Sequence, residues 1–289
     1  MAISKDASQY AHLRPDELRD RLEARPAAIV PWGALEWHSV HLPVGLDGLV
    51  AASVARRLAE RTGAVVLPPF YLPITALPHR FSITFSSRLV RDVVDELLTE
   101  LARTGFRVVL LLSGHYAQAH ELVMMAVAEE AWEKHGTLVL ATPPLAVLDE
   151  DMLDHAGHWE TAALLATAPD LVDLPRLAEA RPAQPGAEPP QLGVLGRLPD
   201  ASTTAEAGEV AISAAVEKLA TLTEILLEAN DATPLREFYD RRRAAYKPFL
   251  DRYFDGSWEV AAARWWEDRS RSKASGVGDQ SESSGPETE

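Results

Sequence analysis

The chain has 289 residues, 47% of them hydrophobic, enough to bury a core of ordinary size in one large domain. It contains no cysteine, which excludes disulfides and thiolate metal sites and leaves histidine and carboxylate to hold any metal. A formal charge of -15 argues against a nucleic-acid partner, because phosphate backbones are bound by concentrated basic surface.

The opening residues, MAISKDASQYAHLRPDEL, lack an apolar core of signal-peptide type. No later stretch approaches the roughly 20 apolar residues that span a bilayer, so a cytoplasmic protein with no membrane partner is expected. Strands are predicted at AAIVPWG (27–33), AVVLPPF (64–70), RVVLLLSG (107–114) and TLVLATP (137–143). Between them helices are predicted from Asp47 to Arg61, Ser87 to Thr104 and Ala117 to His135. Alternation of strand and helix, with near-continuous aliphatic runs in the last two strands, predicts an α/β three-layer sandwich: a mainly parallel central sheet with helices on both faces.

From Leu171 to Pro199 the chain is rich in proline, alanine and charge, which reads as a long surface connection. Ala205 to Ala229 follows as a strong helix with Ser202 and Thr203 as candidate caps, and one or two further helices are expected from Pro234 to Glu267. The domain is thus expected to span residues 1–267. Residues 268–289, almost without apolar side chains, are expected to be a disordered polar tail.

Four clusters gather most of the histidines, each where a strand is expected to give way to a loop, the edge at which open α/β sheets bind ligands. The first is Gly33-Ala-Leu-Glu36-Trp-His38-Ser-Val-His41-Leu-Pro-Val-Gly-Leu-Asp47, with two carboxylates and two imidazoles. The second is Ser113-Gly-His115-Tyr116, the third His155-Ala-Gly-His158-Trp159-Glu160-Thr161, and the fourth Pro78-His79-Arg80-Phe81-Ser82. Carboxylates and neutral imidazoles suit zinc, manganese or iron, and one Asp can bridge two ions. Two ions about 3.5 to 4 Å apart activate water and polarise a carbonyl together.

Less specific readings compete at several positions. His120 and Glu121 begin HELVM, in which Met124 replaces the second histidine of an H-E-x-x-H zinc helix, so a solvated helix face is expected. His12 and His135 read as surface residues, and His41 as a structural or supporting group. His79 and Arg80 are either an exposed loop pair or contacts for a substrate carboxylate, and Trp37 and Trp159 are either packing or pocket walls. No G-x-S-x-G elbow, P-loop or G-x-G-x-x-G is present.

Glu36-Trp-His-Ser-Val-His-Leu-Pro-Val-Gly-Leu-Asp47 resembles the creatininase-family signature E-Q-H-G-P-H-L-P-x-G-T-D. The later motifs follow in the family's order: Ser113-Gly-His-Tyr resembles N-G-H-G/Y, His155-Ala-Gly-His-Trp-Glu-Thr resembles H-A-G-x-x-E-T-S, and Gly193-Val-Leu-Gly-Arg-Leu-Pro with Ala205-Glu-Ala-Gly-Glu209 resembles G-V-x-G-D-P and A-x-x-G-E. The resemblance implies a metal-dependent amidohydrolase with two divalent ions (Zn, Mn or Fe) acting on a small cyclic amide, a formamide or a related carbonyl compound. It implies that Glu36, Asp47 and His115 hold one ion, that Asp47 bridges to a second also held by His38, and that His155 transfers a proton to the leaving nitrogen. In creatininase itself an acidic residue stands two positions after the strand-end histidine. Here that position is Ala117, and the resemblance assigns Glu160 to the second ion and to catalysis instead. His41, His79, Tyr116 and Trp159 are the candidate substrate contacts, and a homo-oligomer, such as a hexamer, is implied. A peptidase or lactone-type ring opener on the same site, or a metal-depleted scaffold protein motivated by Ala117, are the alternatives.

Overall fold

Helix α1 (Pro15–Ala24), with Pro15 at its first position and Glu17 accepting the Arg14 N–H, leads into strand β1 (Ala27–Gly33), whose seven residues are all buried. The computed structural model describes residues 6, 8–183, 192–229 and 231–271. After β1 the elements are α2 (Leu46–Thr62), β2 (Val65–Val66), β3 (Phe70–Tyr71), α3 (Ser87–Thr104), β4 (Val108–Ser113), α4 (Gln118–His135) and β5 (Leu138–Thr142). Five helices complete the described chain: α5 (His158–Thr167), α6 (Leu174–Ala183), α7 (Ala205–Ala229), α8 (Thr233–Tyr253) and α9 (Trp258–Arg271).

The sheet has the order β2-β1-β4-β5, with β3 also paired to β1, and every pairing is parallel. The expected strand 64–70 is broken into two short pieces, which meet Ala28–Ile29 and Trp32–Gly33 of β1. Its interruption, Leu67-Pro68-Pro69, contains two residues without a backbone N–H, so no continuous ladder forms there. Helices α2, α5 and α7 pack together on one side, tied by the ion pairs Arg57–Glu209 and Arg61–Glu217. Helices α3 and α4 pack together with β5, with Arg91–Glu130 and Lys134–Asp95 between them.

Three expectations need correction. The segment expected as a connection from Leu171 contains α6, and its Leu177 is buried in the core. Residues 268–271, expected in the tail, continue α9 to Arg271, and residues 272–289 lie outside the described residues. The His120–Glu121 face of α4 is not solvated: the two residues are 0% and 1% exposed. Helix α8 covers Glu121, where Arg242 donates from Nε and Nη2 to the two carboxylate oxygens at 2.6 Å each and Tyr246 adds its hydroxyl, while His120 turns toward the sheet and accepts the Ile74 N–H at Nδ1 (3.2 Å). Apolar residues occur all around α4, the pattern of a helix covered on both flanks.

Candidate metal centre

Strand β1 has β2 on one side and β4 on the other, so successive connections leave it in opposite directions and open a crevice at the carboxyl ends of β1 and β4. Pairing of Trp32 with Ser113 brings those two ends level. Glu36 and His38 leave from the first, His115 from the second, and Asp47 comes from the first turn of α2. Two glycines let that turn approach: a Cβ on Gly33 would stand 2.3 Å from the Gly48 nitrogen, and one on Gly114 would stand 2.1 Å from the Asp47 carbonyl oxygen.

Hydrogen bonds fix the acids and imidazoles. The Ala34 N–H donates to Asp47 Oδ2 (3.2 Å), and the Leu77 N–H donates to Glu36 Oε2 (2.5 Å). His115 presents Nδ1 to Glu36 Oε1 at 2.7 Å and to Asp47 Oδ2 at 3.3 Å, while its Nε2 lies 3.0 Å from the Ile74 carbonyl. That carbonyl accepts only, so Nε2 carries a proton, and Nδ1 is the atom left to meet an ion or, without one, a second proton. His38 places Nδ1 on the Glu36 carbonyl (3.1 Å), so its Nε2 is the free lone pair, 2.8 Å from Asp47 Oδ1 and 3.6 Å from Glu160 Oε2.

Glu160 belongs to the first turn of α5, not to a strand end as expected. Asp154 caps that helix, accepting the N–H groups of Trp159 (2.7 Å) and Glu160 (3.1 Å), and Glu160 Oε2 accepts the Ala156 N–H (2.6 Å). Ala156, Ser39 and Thr75 have φ of 48°, 59° and 62°. Left-handed backbone is costly for residues with a side chain, and all three lie in segments that aim groups at this cluster.

Ligand atoms of Glu36, Asp47 and His115 lie within 4.8 Å of one another, and the same holds for His38, Asp47 and Glu160. A third grouping joins Glu36, His38 and His155. Asp47 therefore stands between two sets of donors. His38 Nε2 and Asp47 Oδ1 are buried, 2.8 Å apart, yet not aligned for a hydrogen bond, and neither has another partner among the described residues. Buried donors without partners are costly unless a cation meets them. This donor set of carboxylates and imidazoles, without thiolates, fits a divalent transition metal.

The electrostatics agree. Glu36, Asp47 and Glu160 are at most 2% exposed, and no lysine or arginine pairs with them among the described residues. Burial would lower His38, but the carboxylates of Asp47, Glu160 and Glu36 outweigh it and push the imidazole up to about 10. Burial likewise opposes, and Glu36 and Asp47 overcome, to raise His115, while the imidazoles facing Glu36 hold that acid below the usual carboxylate range despite burial. Glu160 is raised, first by burial and then by Asp47 and Asp154, with His38 opposing. Without a cation, protons on imidazoles must balance the acids; a divalent ion balances them instead.

Above the cluster lies a chamber of about 690 Å³, and Glu36, His115, Tyr116 and His155 form part of its lining. The Trp37 carbonyl holds His155 by Nε2 at 2.8 Å and leaves Nδ1 toward Glu36 Oε1, 3.9 Å away. Burial, then His38, lowers His155 to about 4. Of the other expected substrate contacts, Tyr116 lines the chamber and three do not. His41 is buried with Nε2 3.1 Å from the Thr161 hydroxyl. His79 is exposed and stacks on Trp37, 4.7 Å between ring centres. Trp159 faces the other way from α5, into a groove with Leu148, Met152 and Val210. His158 likewise turns from the chamber to the Thr203 hydroxyl (2.7 Å).

Sequence reasoning missed Asp154, one position before the His155 motif and visible as a helix cap once α5 is known. It missed the Ile74–Leu77 backbone, which holds His115 and Glu36 through groups that every residue has. It also missed Thr203, which pairs with His158 rather than capping α7; Thr204 caps that helix, accepting the Ala207 N–H (3.1 Å).

Comparison with known proteins gives consistent relatives. The creatininase family model, described as creatinine amidohydrolase, matches residues 11–223. Creatinine amidohydrolase of Pseudomonas putida is 30% identical over 237 residues, covering 68% of this chain and 90% of the relative. Mycofactocin precursor peptide peptidase of Mycolicibacterium smegmatis is 31% identical over 202 residues, covering 64% and 78%. A solved structure described as "Creatininase Mn" superposes with a TM-score of 0.63 at 26% identity, covering 77% of this chain and 99% of that one.

Proposed function

The chain belongs to the creatininase family of metal-dependent hydrolases, and from that premise we propose that it hydrolyses the C–N bond of an amide-type substrate at a dinuclear centre. Glu36, Asp47 and His115 would hold one ion; His38, Asp47 and Glu160 would hold the other, with Asp47 common to both. The observation that carries this is the sharing of Asp47 between two donor sets whose ligand atoms lie within 4.8 Å. Zinc, manganese and iron all suit these donors, and divalent ions there supply the Lewis acidity that activates water and polarises a carbonyl.

The chain's own groups do the rest. His155, with Nε2 committed to the Trp37 carbonyl, exchanges its proton at Nδ1, the atom turned to Glu36 and the chamber; this is the atom placed to protonate a leaving nitrogen. Burial, then Glu160 and Asp154, keeps the Tyr116 hydroxyl protonated, so it is a hydrogen-bond donor for substrate oxygen. Glu160, which burial raises, would be held as a carboxylate ligand in the presence of a divalent ion.

Small cyclic amides and formamides are the primary substrate classes. A peptide bond is the second reading, supported by the peptidase among the relatives and by a chamber of about 690 Å³. We also propose a homo-oligomer, such as a hexamer, and four exposed side chains in the site's loops, Val40, Val44, Phe81 and Ile83, offer apolar surface for it. No described helix is long and apolar enough to cross a membrane.

The test is a screen of protein loaded with manganese or zinc against lactams, formamides, lactones and short peptides, with Glu36→Gln as control. Chelator-sensitive hydrolysis, lost in the control, is expected. Full retention of hydrolysis by Glu36→Gln, or a chain that keeps no ion, would overturn the proposal. Sedimentation of a monomer at micromolar concentration would overturn the assembly.

A further inference from the structure

The chamber above the cluster has an outer wall built by residues that lie beyond the family match at 11–223. Phe249 comes from α8, and Ala262, Ala263, Trp265 and Trp266 come from α9. We propose that α8 and α9 are the specificity wall of this enzyme and select amide substrates carrying a bulky apolar group, aromatic or branched aliphatic, beside the scissile bond. The inference rests on the hydrolase reading of the site and adds the class of substrate to it.

Three observations carry it. First, the wall is fixed in place. Arg242 of α8 pairs with Glu121 of α4, Tyr239 of α8 donates its hydroxyl to the Val139 carbonyl of β5 (2.6 Å), and Glu259 of α9 accepts the Ser87 N–H at the start of α3 (2.7 Å). Second, the chamber is mainly apolar away from the ionisable groups. Besides Glu36, His115, Asp154 and His155, and the hydroxyls and amide of Thr75, Thr84, Ser86, Tyr116 and Gln118, its lining includes Leu77, Pro78, Phe85, Leu153 and Leu195 together with the apolar side chains of α8 and α9. Of the two charged residues on this wall, Glu259 has its carboxylate on the Ser87 N–H, and Arg269 is exposed with its guanidinium over the Trp265 ring at 4.6 Å. Third, about 690 Å³ is within the range of pockets that enclose drug-sized ligands, so a ring of a few atoms at the floor leaves most of the space against the tryptophans unfilled. An amide held at the floor therefore directs its substituent to Phe249 and Trp266.

The test uses manganese-loaded, full-length protein and two hydroxamates, phenylacetohydroxamate and acetohydroxamate, with dissociation constants from calorimetry. Burial of the phenyl group predicts that the first binds about tenfold or more tightly than the second. Trp266→Ala, which shortens the wall, and Ala263→Trp, which fills the chamber, should each cut that ratio to below about threefold. Val260→Ala, at a position 40% exposed and not in the lining, should keep it. A wild-type ratio below about threefold, or an unchanged ratio in both wall variants, overturns the proposal. Phenylacetamide, which has no chelating group, separates the two readings. If the chain holds no ion and the hydroxamates gain nothing over phenylacetamide, the metal reading has failed. Loss of phenylacetamide binding in both variants then still supports the wall, and its retention in both overturns the wall too.

Discussion

The backbone of Gly114 touches that of Asp47: a methyl group on Gly114 would come within 2.1 Å of the Asp47 carbonyl oxygen and 2.7 Å of its carbonyl carbon. The strand end that supplies His115 and the helix start that supplies Asp47 are thus in direct backbone contact, with no side chain able to yield. Gly114→Ala is expected to separate them, lowering stability by about 1–3 kcal/mol, as overpacking does. Urea unfolding and metal content measured on the same preparation check this. A variant with unchanged midpoint and full metal content would show that the contact is not what sets the site.

Asp47 and Glu160 should behave differently. Asp47→Asn weakens both donor sets, because each uses one of its oxygens. Glu160→Gln affects only the set containing His38. Wild-type protein should retain close to two ions per chain, Glu160→Gln close to one, and Asp47→Asn fewer still, with activity down by more than about a hundredfold in the last. Elemental analysis after gel filtration decides it, and equal metal content in all three proteins would exclude the shared ligand.

Acid should destabilise the fold through His41. It is 1% exposed, and burial, followed by the charge of His38, lowers it from its ordinary 6.5 to about 4. The unfolded chain therefore binds a proton that the folded chain refuses. Stability from this group is complete above pH 6.5 and is lost as pH falls toward 4, a change of about 1–3 kcal/mol. Urea midpoints at pH 7 and pH 5 should differ less in His41→Gln than in wild type. An equal difference would assign the acid sensitivity to other groups.

The buried pair of Arg242 and Glu121 joins α8 to α4, and removing one partner strands a charge. Arg242→Met alone should cost about 3–5 kcal/mol, whereas Arg242→Met with Glu121→Leu should recover much of that loss. Urea unfolding of the single and double variants measures both. A double variant as unstable as the single one would show that packing, not charge, holds α8.

Much of this architecture is written locally. The aliphatic runs of β1, β4 and β5 and the apolar periodicity of α2, α3, α4 and α7 specify a parallel sheet between helices, because period and burial are properties of neighbours in sequence. Glu36, His38, Asp47 and His115 are legible as candidates by the same token, since each stands where an apolar run stops. Local pattern does not reveal what covers a face. His120 and Glu121 read as a polar helix surface; Arg242, 121 residues after Glu121, offsets the burial of the acid, and the Ile74 N–H, 46 residues before His120, meets the imidazole at 3.2 Å.

Direction also belongs to the tertiary structure. Trp159 and Glu160 are adjacent in sequence, yet they sit on different sides of α5, so the acid joins the cluster and the indole leaves it. By itself, the sequence determined which chemical groups were available and which edge of the sheet would carry them. Convergence of the carboxylates and imidazoles on Asp47, and the lining of the chamber by α9, were decided by long-range packing, through glycine contacts and buried ion pairs between segments that no local pattern connects.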